Sequence, residues 1–357
     1  MPSPSRIAWT DTTWSPVTGC AKVSAGCKYC YAEREVDSRW SHNPKSVFHG
    51  RAFTDVRCHD ERLEDPLHWR TPKKIFVCPR GDLFHESVPD AFLDQVFAVM
   101  AMAPQHTFQV LTKRPERMWR FFNRSYRLLD WWHANVGAVA AGNGLANPLA
   151  RRAAASERDA WPSFALPLPN VWLGVSVEDQ EAANERIPLL LQTPAVVRWI
   201  SAGPLLGPVD LSVEYLSLLC GGGYPFKCLP SEHRTRLIDL LDWVVVEGES
   251  GSHARPMHPQ WARVLRDQCH EADVPFLFKQ WGEWEFTAAV SGGDLGHDIR
   301  ECVVALVSAD GRENDGHVHP GDVFMRRVGV KRAGRLLDGE LHEAFPSNTR
   351  QFGGTLS

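Results

Sequence analysis

The residue types best suited to chemistry gather near the N-terminus, in the run Gly19-Cys20-Ala21-Lys22-Val23-Ser24-Ala25-Gly26-Cys27-Lys28-Tyr29-Cys30-Tyr31. Its three thiols stand at a C-x6-C-x2-C spacing. Two cysteines separated by two residues can turn both sulfurs towards one metal. The third closes the set if the intervening loop folds back, which Gly19 and Gly26 permit because glycine reaches backbone conformations closed to other residues. Three ligands rather than four is the informative number. Structural zinc wants a closed tetrahedron, whereas a [4Fe–4S] cluster on three cysteines leaves one iron open to a substrate or cofactor. Two other readings of the same residues stay open: a redox dithiol, or half a zinc site completed by Cys58-His59. Cys78 and Cys269 fall in an expected strand and helix and read as small core residues, while Cys220, Cys228 and Cys302 are scattered.

The elements that must position this loop are repeated βα units. Apolar, β-branched-rich runs at Lys74 to Cys78, Thr107 to Thr112, Val171 to Val177, Val196 to Ser201, Trp243 to Glu247 and Pro275 to Lys279 read as strands. Segments with helical periodicity lie between them, at Asp90 to Ala103, Arg114 to Arg127, Asp179 to Leu191 and Pro259 to Ala272. Asp90 is the expected N-cap of the first helix, and His258-Pro259 opens the last. Continuous apolar runs such as Trp243-Val244-Val245-Val246 imply parallel strands covered by helices on their outer face. The expected fold is α/β, a partial or complete parallel βα barrel forming one domain over 1–346. Insertions are expected at about 137–170, 212–236 and 287–322, with a tail over 347–357. The last insertion, rich in Gly and acids with a single apolar run, reads as an appended loop or small β element. In a βα barrel chemistry collects at the carboxyl ends of the strands. That rule singles out Asp82 and His85, Thr112, Lys113 and Arg114, Ser176 and Glu178, Ser201, Glu247, Glu249 and Ser250, and Lys279, Gln280 and Trp281.

Composition narrows the classes. The 357 residues are 43% hydrophobic and 23% charged with a formal net charge of −4, which supports a large core and neither demands nor excludes nucleic acid. No stretch approaches the ~20 apolar residues of a membrane span, and Met-Pro-Ser-Pro-Ser-Arg-Ile lacks the apolar segment of a signal peptide, so the expectation is a cytoplasmic protein without a membrane partner. Nine cysteines in a long chain in a reducing compartment point to metal or redox chemistry over a disulfide framework.

The order of motifs carries a resemblance. The opening Trp9-Thr10-Asp11-Thr12-Thr13-Trp14-Ser15-Pro16, followed by Gly19-Cys20, Gly26-Cys27 and Cys30-Tyr31-Ala32, resembles the phage three-cysteine-motif family, radical-SAM-like proteins of phages and mobile elements. The likeness continues through Asp82-Leu83-Phe84-His85, Leu111-Thr112-Lys113-Arg114-Pro115, Val171-Trp172-Leu173-Gly174-Val175-Ser176, Pro204-Leu205-Leu206-Gly207-Pro208, Gly248-Glu249-Ser250-Gly251 and Phe278-Lys279-Gln280-Trp281-Gly282. It implies a barrel of radical-SAM type in which Cys20, Cys27 and Cys30 ligate three irons of a [4Fe–4S] cluster and S-adenosyl-L-methionine takes the fourth. It further implies that Tyr29 packs on the adenine. For that chemistry the polar strand ends are the expected binding groups: Asp82, Lys113, Ser176, Glu178 and Ser250 for the cofactor, with Lys113 or Arg114 meeting a carboxylate or phosphate, and Glu247, Glu249 and Lys279 for catalysis. An electron donor would then drive release of a 5′-deoxyadenosyl radical. Two departures stand out. The usual loop has three residues between its first two cysteines, and here there are six. Relatives carry Glu where this chain has Gly203, and Gly where it has Glu247, which suggests that Glu247 replaces the missing side chain from a neighbouring strand.

The substrate is less marked. Between Lys113 and Arg127 stand Lys113, Arg114, Arg117, Arg120, Arg124 and Arg127 against Glu116, interleaved with Trp119, Phe121, Phe122 and Tyr126. Such a segment reads first as an amphipathic helix with its aromatics inward, and second as one suited to phosphate and base contact. A second basic stretch holds Arg326, Arg327, Lys331, Arg332 and Arg335. The phage resemblance implies DNA or a modified nucleoside as substrate, with an isomerase acting on an amino-acid-modified thymidine as the specific expectation. The alternatives are a zinc-binding nucleic-acid-binding protein without catalysis and an interaction protein using the same scaffold.

Overall fold

Alternating apolar side chains drive a single large sheet. The computed structural model describes residues 5, 7–123, 167–215, 235–289, 304–312 and 317–347. Its first nine strands are β1 (Thr12–Trp14), β2 (Val17–Thr18), β3 (Arg57–Cys58), β4 (Lys74–Val77), β5 (Thr107–Thr112), β6 (Val171–Ser176), β7 (Val197–Ala202), β8 (Trp243–Glu247) and β9 (Phe276–Gln280). Seven of them form a parallel sheet in the order β1-β4-β5-β6-β7-β8-β9, while β2, which leads into the cysteine loop, pairs antiparallel with β3. Spatial order follows chain order, so each unit is laid beside the last and the sheet curls into half a barrel with β1 and β9 as its edges. The fold is therefore α/β and the barrel is the partial form of the one expected.

Helices α1 (Tyr31–Glu35), α2 (Asp90–Met102), α3 (Pro115–Phe122), α4 (Gln180–Leu191) and α5 (Pro259–Glu271) follow the strands and the cysteine loop. Asp179 caps α4 by accepting from the Ala182 N–H at 2.9 Å, and His258 Nδ1 caps α5 by accepting from the Gln260 N–H at 3.0 Å. The expected cap of α2 is corrected: Pro89 holds the N-cap position and Asp90 is the first helical residue, where its carboxylate faces the helix N-terminus and pairs with Arg117. Among its described residues the basic segment is helical over Pro115–Phe122, with Met118, Phe121 and Phe122 buried, the amphipathic alternative. Arg124, Tyr126 and Arg127 lie outside the described residues, as do most of the two central insertions with Cys220 and Cys228, Cys302, and the tail from 348.

Strand periodicity sorts two cores. Ile75, Val110, Leu173, Ile200, Val244 and Phe278 face outward under the helices. The opposite, concave face carries Phe76, Trp172, Trp199, Trp243, Val245 and Leu277, and the N-terminal Trp9 packs onto it with its ring 5.3 Å from that of Trp199. Gly174 leaves room for Trp199, since a Cβ there would lie 2.5 Å from the indole. Following the same face further along the strands, by two residues from Leu111, Trp199, Val245 and Leu277 and by four from Trp172, leads to Lys113, Ser201, Glu247, Lys279 and Ser176 at the carboxyl ends.

A second sheet spans the region of the third expected insertion and extends beyond its bounds on both sides. Strands β10 (Trp284–Ala289), β11 (Val304–Val307) and β12 (Val323–Arg327) pair antiparallel in the order β10-β12-β11. After α6 (Val330–Ala333) and the hairpin β13 (Leu336–Leu337) and β14 (Glu340–Leu341), the chain returns to the edge strand β9, where Phe278 N–H donates to His342 O at 3.0 Å. That return covers part of an otherwise open sheet edge. Among the described residues no helix is long and apolar enough to cross a membrane.

Candidate functional site

A cavity of about 250 Å³ opens at the carboxyl ends of the central strands. Ile7, Trp9, Phe76 and Leu111 give it an apolar side; Lys113, Ser176, Ser201, Glu247, Ser250 and Lys279 give it a polar one. Cys27, Tyr29 and Cys30 from the cysteine loop complete the wall. Cys20 does not line it.

The cysteine loop is fastened at several points. Gly19 takes φ +90°, a left-handed conformation that suits glycine, and the Cys20 N–H donates to Phe53 O at 3.0 Å. Cys27 ends a single 3-10 turn, Ala25–Cys27, and Cys30 occupies the N-cap position of α1. Gly26 packs directly on Glu178, whose Cγ lies 2.4 Å from where a Cβ would stand. Glu178 is almost wholly buried; it accepts from the Ser24 hydroxyl at 2.6 Å and pairs with Lys113 at 2.7 Å and Arg186 at 2.8 Å. Burial alone would push its carboxyl up, but Lys113 and Arg186 beside it, with hydrogen bonds from Lys113 and Ser24, hold it below the usual range. Glu178 thus ties the loop to β6 and does not line the cavity, whereas its partner Lys113 does.

The three sulfurs have different surroundings. Cys20 Sγ accepts from Arg114 Nη1 at 3.3 Å; Cys27 Sγ lies 3.8 Å from the Ser24 hydroxyl; Cys30 receives the backbone N–H groups of Ala32 and Glu33. Burial, then the Asp82 carboxylate, pushes the Cys20 thiol up to about 12 despite Arg114, and burial likewise raises Cys30. All three thiols are free of disulfides. Among the described residues no three His, Cys, Asp or Glu side chains converge as a metal-holding group. The donor set still fits a thiophilic metal by its chemistry: three thiols on one short loop, each with a hydrogen-bond partner at its sulfur, two of them in the cavity wall.

Several residues chosen from sequence take other work. Asp82 does not line the cavity; it accepts from Phe84 N–H at 2.9 Å, from Thr112 Oγ1 at 2.8 Å and from Arg114 Nη1 at 3.0 Å. Arg114, a polar strand end in the basic segment, is buried and engaged with Asp82, Glu86, Cys20 and Ala21, so it is turned away from an external carboxylate or phosphate. Glu249 reaches the cavity wall but is held by Arg255 through both carboxylate oxygens. The zinc alternative through Cys58-His59 loses its histidine, because both ring nitrogens already face partners, Thr18 Oγ1 at 2.8 Å and Glu61 at 2.9 Å. Tyr29 stacks on His253 with ring centroids 5.5 Å apart and lies under the Arg255 guanidinium.

The strand-end residues Glu247 and Lys279, each singled out separately in the sequence, meet in the structure. Their charged ends form a short ion pair inside the cavity, each side chain 21% exposed. Glu247 also lies over Gly203: a Cβ on Gly203 would stand 2.4 Å from Glu247 Cγ and 2.9 Å from Oε1. The carboxylate from the end of β8 fills the space that a side chain just past β7 would need. Sequence reasoning missed the roles of Ser24, Arg186 and Arg255, since nothing in their spacing marks which carboxylate each will meet.

Against known proteins, the model of a family described as proteins of unknown function, DUF5131, matches residues 4–346, and the chain belongs to that family. No curated protein and no solved structure matches.

Proposed function

We propose that this protein is a radical-SAM-like iron–sulfur enzyme whose reaction takes place in the cavity between the cysteine loop and the strand ends. The observation that carries the proposal is that Cys27 and Cys30, two of three thiols on one loop, open into the same cavity as the Glu247–Lys279 pair. In this reading Cys20, Cys27 and Cys30 hold a [4Fe–4S] cluster, and the cluster with S-adenosyl-L-methionine supplies a 5′-deoxyadenosyl radical for hydrogen abstraction.

The chain's own residues do the rest. Trp9, Phe76 and Leu111 keep water from one side of the cavity, which protects a reactive species from quenching. Ser176, Ser201 and Ser250 offer hydroxyls for orienting a polar ligand, and Lys113 offers an ammonium fixed in direction by Glu178. Glu247 can accept or return a proton at its carboxylate while Lys279 holds that carboxylate in place. The substrate proposed from the phage resemblance is an amino-acid-modified thymidine, rearranged by an isomerase. The described basic helix adds little phosphate affinity, because Arg114, Arg117 and Arg120 are paired with Asp82, Asp90 and Glu116.

The test is anaerobic reconstitution with iron and sulfide, followed by metal analysis, the visible spectrum and dithionite-driven release of 5′-deoxyadenosine from S-adenosyl-L-methionine. About four irons per chain and deoxyadenosine release that Cys27→Ala abolishes are expected. Bound zinc without iron, and no cleavage, would overturn the proposal.

A further inference from the structure

Among the three sulfurs only Cys20 has a cationic hydrogen-bond donor in the described structure, and that donor is locked. Arg114 Nη1 lies 3.3 Å from Cys20 Sγ and Nη2 lies 3.1 Å from the Ala21 carbonyl oxygen. The other side of the guanidinium is clamped: Nε donates to Glu86 at 2.9 Å and Nη1 also donates to Asp82 at 3.0 Å. Asp82 is itself fixed by the Phe84 N–H and by Thr112 Oγ1, which also accepts from the Arg114 N–H at 2.9 Å. Four of the five N–H groups of this rigid fork are directed at partners inside the protein, and its side chain is 5% exposed, so it presents little to an external anion. An ion pair with Asp82 and Glu86 alone would not require the contacts to the sulfur and to the carbonyl beside it.

We infer that Arg114 is a positioning and tuning residue for the metal centre, donating to the Cys20 sulfur so that the centre accepts an electron more readily. The inference rests on the reading of Cys20 as a cluster ligand. Hydrogen bonds to ligand sulfurs stabilise the more negative, reduced state and raise the reduction potential. Because Asp82 and Glu86 offset the guanidinium charge, the directed N–H to sulfur carries the effect, and lysine, a single flexible ammonium, reproduces it only in part.

The experiment is a potentiometric titration of the full reconstituted chain, wild type against Arg114→Lys and Arg114→Gln, read by bleaching of the cluster absorbance. Arg114→Gln is expected to hold iron yet show a reduced-to-oxidised ratio roughly tenfold lower at a given potential, about 59 mV for a one-electron couple. Arg114→Lys is expected to fall between. Should Arg114→Gln not fold, Arg114→Lys against wild type makes the same comparison. Equal potentials in every folded form overturn the inference. Loss of iron from both variants with wild type loaded also overturns it, by making Arg114 a loop fastener only. Absence of iron from the wild type is a different result, which removes the metal reading itself.

Discussion

At the residue scale the most specific arrangement is Glu247 above Gly203. Two neighbouring strands share one space, and the carboxylate can come from either but not from both. Gly203→Ala is expected to push Glu247 off Lys279, lowering turnover at least tenfold and stability by about 1–3 kcal/mol, the usual cost of overpacking. Steady-state kinetics and a thermal melt read the two effects. The exchange Gly203→Glu with Glu247→Gly is expected to recover part of the activity that Glu247→Gly alone removes. If Glu247→Gly kept full turnover while Glu249→Ala abolished it, the working carboxylate would be Glu249 instead. The cysteine loop and this pair were legible in sequence because each rests on spacing or on adjacent strands. Asp82 and Arg114 were legible only as polar strand ends; their mutual engagement depends on two loops meeting in space, which no local pattern records.

At the element scale strand periodicity did most of the work. The runs at Thr107–Thr112 and Trp243–Glu247 have the bounds expected from their apolar pattern. β1 escaped notice because three residues, two of them threonine, carry too little alternation to register. Helix α2 buries a polar residue: Asp94 is 8% exposed, and burial pushes its carboxyl up to about 7 although Arg117 opposes this. A folded value above the unfolded one means that this group favours folding least when it must ionise. Its contribution is intact below about pH 4 and is lost as pH rises through 7. Asp94→Asn is therefore expected to raise Tm by about 2–4 °C at pH 8 and to leave it unchanged at pH 4, as differential scanning calorimetry at the two pH values would show. Equal gains at both would mean that the carboxyl is solvated in the fold.

At the scale of the whole molecule, half a barrel must close itself without the missing strands. It does so by filling the concave face with Trp9, Trp172, Trp199 and Trp243, and by bringing the segment after β14 back onto β9. Trp9 is 3% exposed and touches three aromatic rings of that face. Trp9→Ala is expected to cost about 3–5 kcal/mol, measured by chemical denaturation, and to open the cavity it lines. A loss under 1 kcal/mol would show that the N-terminal segment decorates the sheet without sealing it. Fourteen tryptophans in the sequence point to aromatic-lined surfaces; that the indoles share one face follows from strand parity, which the sequence contains, and from the curl of the sheet, which it does not.

The two tiers of the concave face also separate two kinds of heritable change. Substitution in the indole tier disturbs every neighbour in a packed core, whereas Ser176, Ser201, Glu247 and Lys279 stand further along the same strands and border open space. New specificities can therefore arise at the rim by single replacements that leave the scaffold's folding untouched. A carboxylate passed from one strand to its neighbour, with glycine left behind to make room, is the form such a step would take.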